Sequence, residues 1–233
     1  VGSKPGAGAT ISAYRSEKWD PNMAYVSWQW GAKAGKDGAF AFDRVLAGDY
    51  QVSRMIRTEN FGFTAGAEKV SVAGGQTVQV SLGGKGRPVI GQVVPPGGGA
   101  VAIPPGSNIS IRTKVEQIQP PYPAGWEQMS DEEKRSWSQE WSKSDEAQAY
   151  RKASEAAYRN ARYFGAAVNG DGVFRFDDIP AGRYVLGAKI PKSQTDLQAG
   201  VIGMIEHEFI VPEMPDGRSD EPLDLGKLVL KTE

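Results

Sequence analysis

The chain has 233 residues, a formal net charge of −1 and no cysteine. The lack of cysteine excludes disulfide scaffolds, Cys-ligated zinc, thiol nucleophiles and Cys-x-x-Cys redox chemistry, and the balanced charge offers no electrostatic basis for binding nucleic acid or an anionic membrane. No apolar run approaches the roughly 18 residues of a membrane span, whereas 29 Gly and 15 Pro fit a turn-rich β protein, and an apolar share of 39% suffices for two modest cores.

In chain order, residues 9–15 read as a strand, and so do residues 24–30, where Val26, Trp28 and Trp30 fall on one face. Asp37-Gly38 signals a tight turn, because glycine supplies the positive φ that such a turn needs. Phe40-x-Phe42 alternates with period two, Ala47-Gly48 marks a second turn, and Tyr50-x-Val52 opens the next strand. A last strand pair is expected at 68–72 and 77–82, joined by Ala73-Gly74-Gly75-Gln76. Gly83-Gly84-Lys85-Gly86 reads as a short flexible junction, which divides the chain into modules 1–84 and 85–233.

The second module opens with a strand over 87–94, a loop at Pro95-Pro96-Gly97-Gly98-Gly99, and a strand over 108–115. An insertion follows at about 118–163. Its first stretch, Pro120-Pro121-Tyr122-Pro123-Ala124-Gly125-Trp126, must be irregular or polyproline-like. Ser130-Asp131-Glu132-Glu133 then matches a capping box, and Trp137 and Trp141 share a helix face. Ser144-Asp145-Glu146 looks like a second helix start, followed by a narrow stripe of Tyr150, Ala153, Ala157, Tyr158 and Ala161, with Glu155 and Arg159 spaced as an i,i+4 pair. Strands at 206–211 and 221–230 close the chain.

The turn-and-aromatic pattern of 37–52 recurs at Asp171-Gly172-x-Phe174-x-Phe176-x-x-Ile179-x-Ala181-Gly182-x-Tyr184-x-Leu186, offset by 134 residues with no gap. Each copy specifies strand, turn, strand with one apolar face. A lone hairpin is marginal in water, so each must pack against a further sheet, and the two phenylalanine pairs should have equivalent surroundings. The pattern resembles the carboxypeptidase regulatory-like domain, a transthyretin-like (prealbumin-like) β-sandwich. The second copy carries the fuller form, with Pro180 before Ala181-Gly182 and the opening strand Arg87-Pro88-Val89-Ile90-Gly91-Gln92-Val93-Val94. The first has Leu46 in place of that proline, and its opening strand is short or missing, so a piece of a longer protein is expected. The resemblance implies a mainly β chain, two tandem transthyretin-like β-sandwiches with a helical insertion in the second. It is weak for function, because such modules sit beside many unrelated partners.

No catalytic constellation stands out. Asn169-Gly170-Asp171-Gly172 faintly suggests a calcium loop, but Ala167 stands where an EF-hand needs an oxygen ligand and strands flank it, so a turn is the better reading. His207 is the sole histidine; alternation sets it opposite in face to Glu206 and Glu208, and a surface strand histidine is expected. Gly83-Gly84-Lys85-Gly86 lacks the spacing of a phosphate loop, no Gly-x-Ser-x-Gly elbow occurs, and Asp177-Asp178 sits where acidic residues are ordinary.

The aromatics are the functional lead. Trp28 and Trp30 could form a binding row, although Val26 in the same row favours a core face. Tyr122, Trp126, Trp137 and Trp141 belong to a short helical element that cannot bury large rings alone, so they should pack on the sandwich or meet a partner. The reading is a non-catalytic accessory or interaction module of a larger bacterial protein, extracytoplasmic, without cofactor or metal. Its partners would be other domains of the same parent chain or a second protein. The alternative is a carbohydrate- or peptide-binding module using these rings. The proline-rich stretch with its helices also looks like modules that precede thioredoxin-like domains in bacterial cell-envelope proteins.

Overall fold

A computed structural model describes residues 6–18, 25–57, 62–98, 102–116, 118–158 and 161–232. The strands are β1 (Thr10–Lys18), β2 (Tyr25–Lys33), β3 (Gly48–Arg57), β4 (Gly62–Val72), β5 (Arg87–Val94), β6 (Asn108–Thr113), β7 (Tyr163–Ala167), β8 (Val173–Ile179), β9 (Gly182–Pro191), β10 (Val201–Val211) and β11 (Leu223–Val229); the helices are α1 (Asp131–Trp141) and α2 (Asp145–Tyr158). The chain is thus mainly β, and the strands form a β-sandwich of one long and one short sheet. The long one runs β10-β9-β6-β7-β4-β3-β1-β2, and the short one β11-β5-β8. All neighbours are antiparallel except β11 and β5, which are parallel. Residues 114–161 form a separate compact unit carrying both helices.

The alternation read from the sequence positions the core. Ile109 and Ile111 of β6, Phe164 and Ala166 of β7, and Tyr184 and Leu186 of β9 are buried on one face of the long sheet. The short sheet covers them with Val89 and Val93 of β5, Phe174, Phe176 and Ile179 of β8, and Leu228 of β11. Burying each large side chain contributes about 1.5–3 kcal/mol. A second cluster sits on the same sheet around Ile11, Ala13, Tyr50 and Val52.

The two copies of the repeated pattern have the same local geometry. Phe40 and Phe42 meet edge to face at 5.8 Å and 69°, Phe174 and Phe176 at 5.8 Å and 66°. Arg44 and Asp178 both take positive φ, 56° and 58°. The Tyr50 hydroxyl donates to the Leu46 carbonyl at 2.6 Å, and the Tyr184 hydroxyl to that of Pro180 at 2.9 Å. Gly38 and Gly172 have φ of 82° and 81°; a Cβ on Gly172 would lie 2.1 Å from the Val93 oxygen, so only glycine fits.

Several expectations change. The surroundings of the two phenylalanine pairs differ: Phe174 and Phe176 are 1% and 3% exposed, whereas Phe40 and Phe42 are only half-buried and lie outside any strand, as does the whole of 77–82. Neither segment is paired with a described strand. The junction is not free at its end. Gly86 donates to Gly217 at 2.7 Å and accepts from Ser219 at 3.0 Å, fastening it to the last stretch of the chain. The long sheet also runs across the expected boundary, through a bridge between Ala65 of β4 and Phe164 of β7. Small residues allow this: a Cβ on Gly165 would lie 2.5 Å from that of Phe63. The Arg54–Asp177 ion pair, at 3.7 Å, links the same two regions.

Desolvation on burial raises the Tyr184 phenol above its ordinary value, against a smaller opposing effect of Arg162. A raised folded value favours the neutral form, so this stability is intact below the unfolded phenol value of about 10 and is lost as pH rises through the folded one. Chemical denaturation at pH 8 and at alkaline pH should show that loss, and Tyr184→Phe should reduce it while costing roughly 0.5–1.5 kcal/mol at pH 8 through the missing hydrogen bond. An alkaline loss of the same size in the variant would assign it to other groups. Gly172→Ala should cost at least ~1 kcal/mol in the same measurement, because the left-handed backbone and the Val93 oxygen both oppose a methyl group.

Candidate functional site

Trp28 and Trp30 lie on β2 opposite Arg15 and Ala13 of β1. Trp30 packs on the cluster of Ile11, Ala13, Tyr50 and Val52 and meets Tyr50 edge to face at 5.4 Å. The Arg15 guanidinium covers Trp28 at 5.3 Å from the ring centroid. Arg15 is itself held by the Ala47 carbonyl and Glu17. Gly48 makes room for it, since a Cβ there would lie 2.6 Å from the guanidinium carbon. Val26, 39% exposed, ends the row. Trp30 and Trp28 are thus half-buried and Val26 is exposed, with a cation over Trp28. Arg15 could not be singled out from sequence, because only the β1–β2 register brings it over the ring.

Within the insertion the rings form a set of their own. They pack on one another. Tyr122 stacks on Trp126 at 4.6 Å, Trp126 meets Trp137 edge to face at 5.1 Å, Trp137 stacks on Trp141 at 5.2 Å, and Trp141 meets Tyr150 edge to face at 5.4 Å. The result is a ladder from the proline-rich stretch through α1 to α2. Such ring pairs add about 0.5–1.5 kcal/mol each beyond area burial, which is how a small helical element holds its rings without a core of its own. Lys134 lies 5.8 Å over Trp126 and Tyr122 remains 46% exposed. The ladder thus presents an aromatic edge beside a cation.

The helices are built as their caps predict. The Ser130 hydroxyl oxygen accepts from the Glu133 amide at 3.3 Å, and the Glu133 carboxylate accepts from the Ser130 amide at 2.8 Å. Ser144 accepts from the Ala147 amide at 3.1 Å, and Arg151 donates to the Ser142 carbonyl at 2.6 Å, tying α2 to the end of α1. The inward stripe of α2 contains Ala147, Tyr150 and Ala157, whereas Ala153 and Tyr158 are exposed. Ala147 was missed because the wider helix register, anchored on Trp141, was not visible from α2 alone. Arg159, expected to pair with Glu155, lies outside the described residues.

The other sequence candidates have structural work. The Asn169 side-chain oxygen accepts from the amides of Asp171 at 3.1 Å and Val173 at 2.8 Å, and the Asp171 carbonyl accepts from Gln92 at 2.8 Å. Asp37 does the same for Ala39 at 3.0 Å. Asp177 pairs with Arg175 at 2.8 Å. His207 faces opposite to Glu206 and Glu208 on β10 as alternation requires, but it is half-buried on the inward side rather than fully at the surface. Among the described residues no group of three or more His, Asp or Glu side chains could hold a metal ion, and no helix is long and apolar enough to cross a membrane.

No family model and no curated protein matches the chain. Among solved structures, the crystal structure of a minor pilin from the Gram-positive pathogen Streptococcus agalactiae aligns over 99% of this chain and 86% of its own, at 12% identity and a TM-score of 0.27. At that score the likeness carries no argument about this chain.

Hydrogen bonds from Ser130, the backbone amide first and the hydroxyl second, hold the Glu133 carboxyl below its ordinary value. A depressed folded value means that its contribution is present above the unfolded carboxylate range and is lost as pH falls through the folded value. Backbone chemical shifts of 131–141 followed from pH 7 to pH 2 should therefore report loss of the first turn of α1. In Glu133→Gln the titration of that turn should flatten. An unchanged profile would remove the capping box as its cause.

Proposed function

We propose that the chain is a non-catalytic accessory and interaction module of a larger bacterial, extracytoplasmic protein, made of two tandem transthyretin-like units with boundaries near 1–84 and 85–233. The β unit acts as a spacer, and the insertion offers Tyr122 and Trp126 to a protein partner or to a neighbouring domain of the same parent chain. One observation carries this reading: the polar residues that could suggest chemistry are engaged in making turns. Asn169 and Asp37 accept backbone amides, and both motif tyrosines donate to carbonyls four residues back. The family resemblance of the repeated pattern supports the extracytoplasmic, multidomain setting.

Asn169→Ala should lower the thermal midpoint, by an amount equivalent to about 0.5–1.5 kcal/mol, because the two amides are exposed and water replaces part of the lost acceptor. Calcium at millimolar concentration should leave the midpoint of the unmodified chain unchanged. A calcium-dependent rise would restore a metal-binding reading of 169–172.

The exposed Tyr122 edge, stacked on Trp126 beside Lys134, favours one second reading, a carbohydrate- or peptide-binding module. Trp28 and Trp30 offer less open ring surface for it. Intrinsic tryptophan fluorescence titrated with a panel of oligosaccharides should stay flat for a spacer. A saturable change that disappears in Trp126→Ala would replace the spacer reading with this one.

A further inference from the structure

Strands β5 and β11 are bonded neighbours that run the same way, the one parallel pair in either sheet. In a parallel pair the two starts lie side by side, so the chain enters β5 and leaves β11 at opposite ends of the pair. The bonding extends past both strands. It begins at Gly86, which donates to Gly217 at 2.7 Å and accepts from Ser219 at 3.0 Å. It ends where the Leu230 amide donates to the Val94 carbonyl at 2.8 Å. Between these ends Val89 lies opposite Leu223, Gln92 opposite Lys227 and Val93 opposite Leu228, with one irregularity after Asp224. Arg87 adds a side-chain bond to the Glu221 carbonyl at 2.9 Å.

The inward side of this ladder is dry. Val89, Val93, Leu228 and Leu230 are 0%, 1%, 7% and 1% exposed. Gly86 is buried too, and a Cβ on it would lie 2.4 Å from the Ile179 carbonyl. Backbone bonds sealed in this way must break before water can replace them. The exit of β11 is latched as well, since Lys231 exchanges two bonds with Met204 of β10, at 2.7 and 2.9 Å. The N-terminal repeat reaches this region through the Ala65–Phe164 bridge, the Arg54–Asp177 ion pair and the junction 83–86. Only the junction is covalent. Tension on the chain ahead of it therefore ends by pulling on Gly86.

We propose that β5 and β11 form a clamp that lets the chain carry tension, entering at Gly86 and leaving after Lys231, as a load-bearing link of its parent protein. Pulling those two points apart slides β5 along β11, so every bond between them resists together. Pulling at one end of the pair would instead open the bonds one after another. While the clamp holds, the load crosses directly from β5 to β11. The chain between them, including the insertion of 114–161, stays unloaded. The use of the clamp rests on the spacer reading, which is tested by ligand binding. The pulling experiment reads the clamp alone, so either can fail without the other.

The test is single-molecule pulling of the complete chain through introduced cysteines, which are unique because the chain has none. Lys85→Cys with Thr232→Cys loads the pair along its length. Lys85→Cys with Asp220→Cys peels it from one end, and Pro96→Cys with Thr232→Cys peels it from the other. All four positions are exposed, and each variant should unfold in denaturant at the midpoint of the unmodified chain. The first variant should rupture at a force at least about twofold above either of the others, because forced unfolding follows the barrier met along the pulled direction. Its rupture should be one event releasing about 500 Å, the extended length of residues 86–231. Equal forces in the lengthwise and peeling geometries would overturn the proposal. So would a shorter release before the main rupture of the first variant, which would mean that tension reaches the insertion through a closed clamp.

Discussion

The β unit depends on covering one apolar face of a long sheet. Ile109, Ile111, Phe164 and Leu186 lie flat on that face and are lost from water only because a second layer sits over them. That layer is held by backbone bonds on both sides of a single strand, β5, whose two neighbours do not bond to each other. A hairpin face without such a cover keeps its rings half wet, and the N-terminal copy shows this state directly. Identical rings at identical mutual distance, 5.8 Å in each copy, are buried in one place and half-buried in the other. The difference lies in what is bonded beside them.

The insertion solves the same problem with different means. Its helices are short and strongly acidic at their starts, and they have too little apolar surface for a core. They are held by terminal hydrogen bonds, by Arg151 on the end of α1, and by a run of rings from Tyr122 to Tyr150. A ladder of this kind leaves ring edges at its end exposed, whereas a sheet-on-sheet core leaves none. The candidate interaction surface therefore arises from the way this unit is stabilised.

Much of this was legible in the chain. Period-two alternation placed β5, β8 and β9, the capping box placed the start of α1, and the repeated Asp-Gly foretold tight turns at Gly38 and Gly172, which take φ of 82° and 81°. These are local properties, decided within a few residues by steric and hydrogen-bonding preferences, so sequence carries them. Arg15 over Trp28, Ala147 in the α2 stripe, and Gly86 fastened to 217–219 were not legible. Each depends on a register or contact between segments far apart in the chain.

The sequence by itself determined the turns, the strand faces and the helix caps, because Asx turns, glycine backbones and alternating apolar side chains act over neighbouring residues. Only the tertiary structure decided that the long sheet continues from β4 to β7, that the insertion rings stack on each other, and that Phe40 and Phe42 stay half-open. Those outcomes turn on which backbone edges find partners, and the residues on an edge do not encode whether a partner arrives.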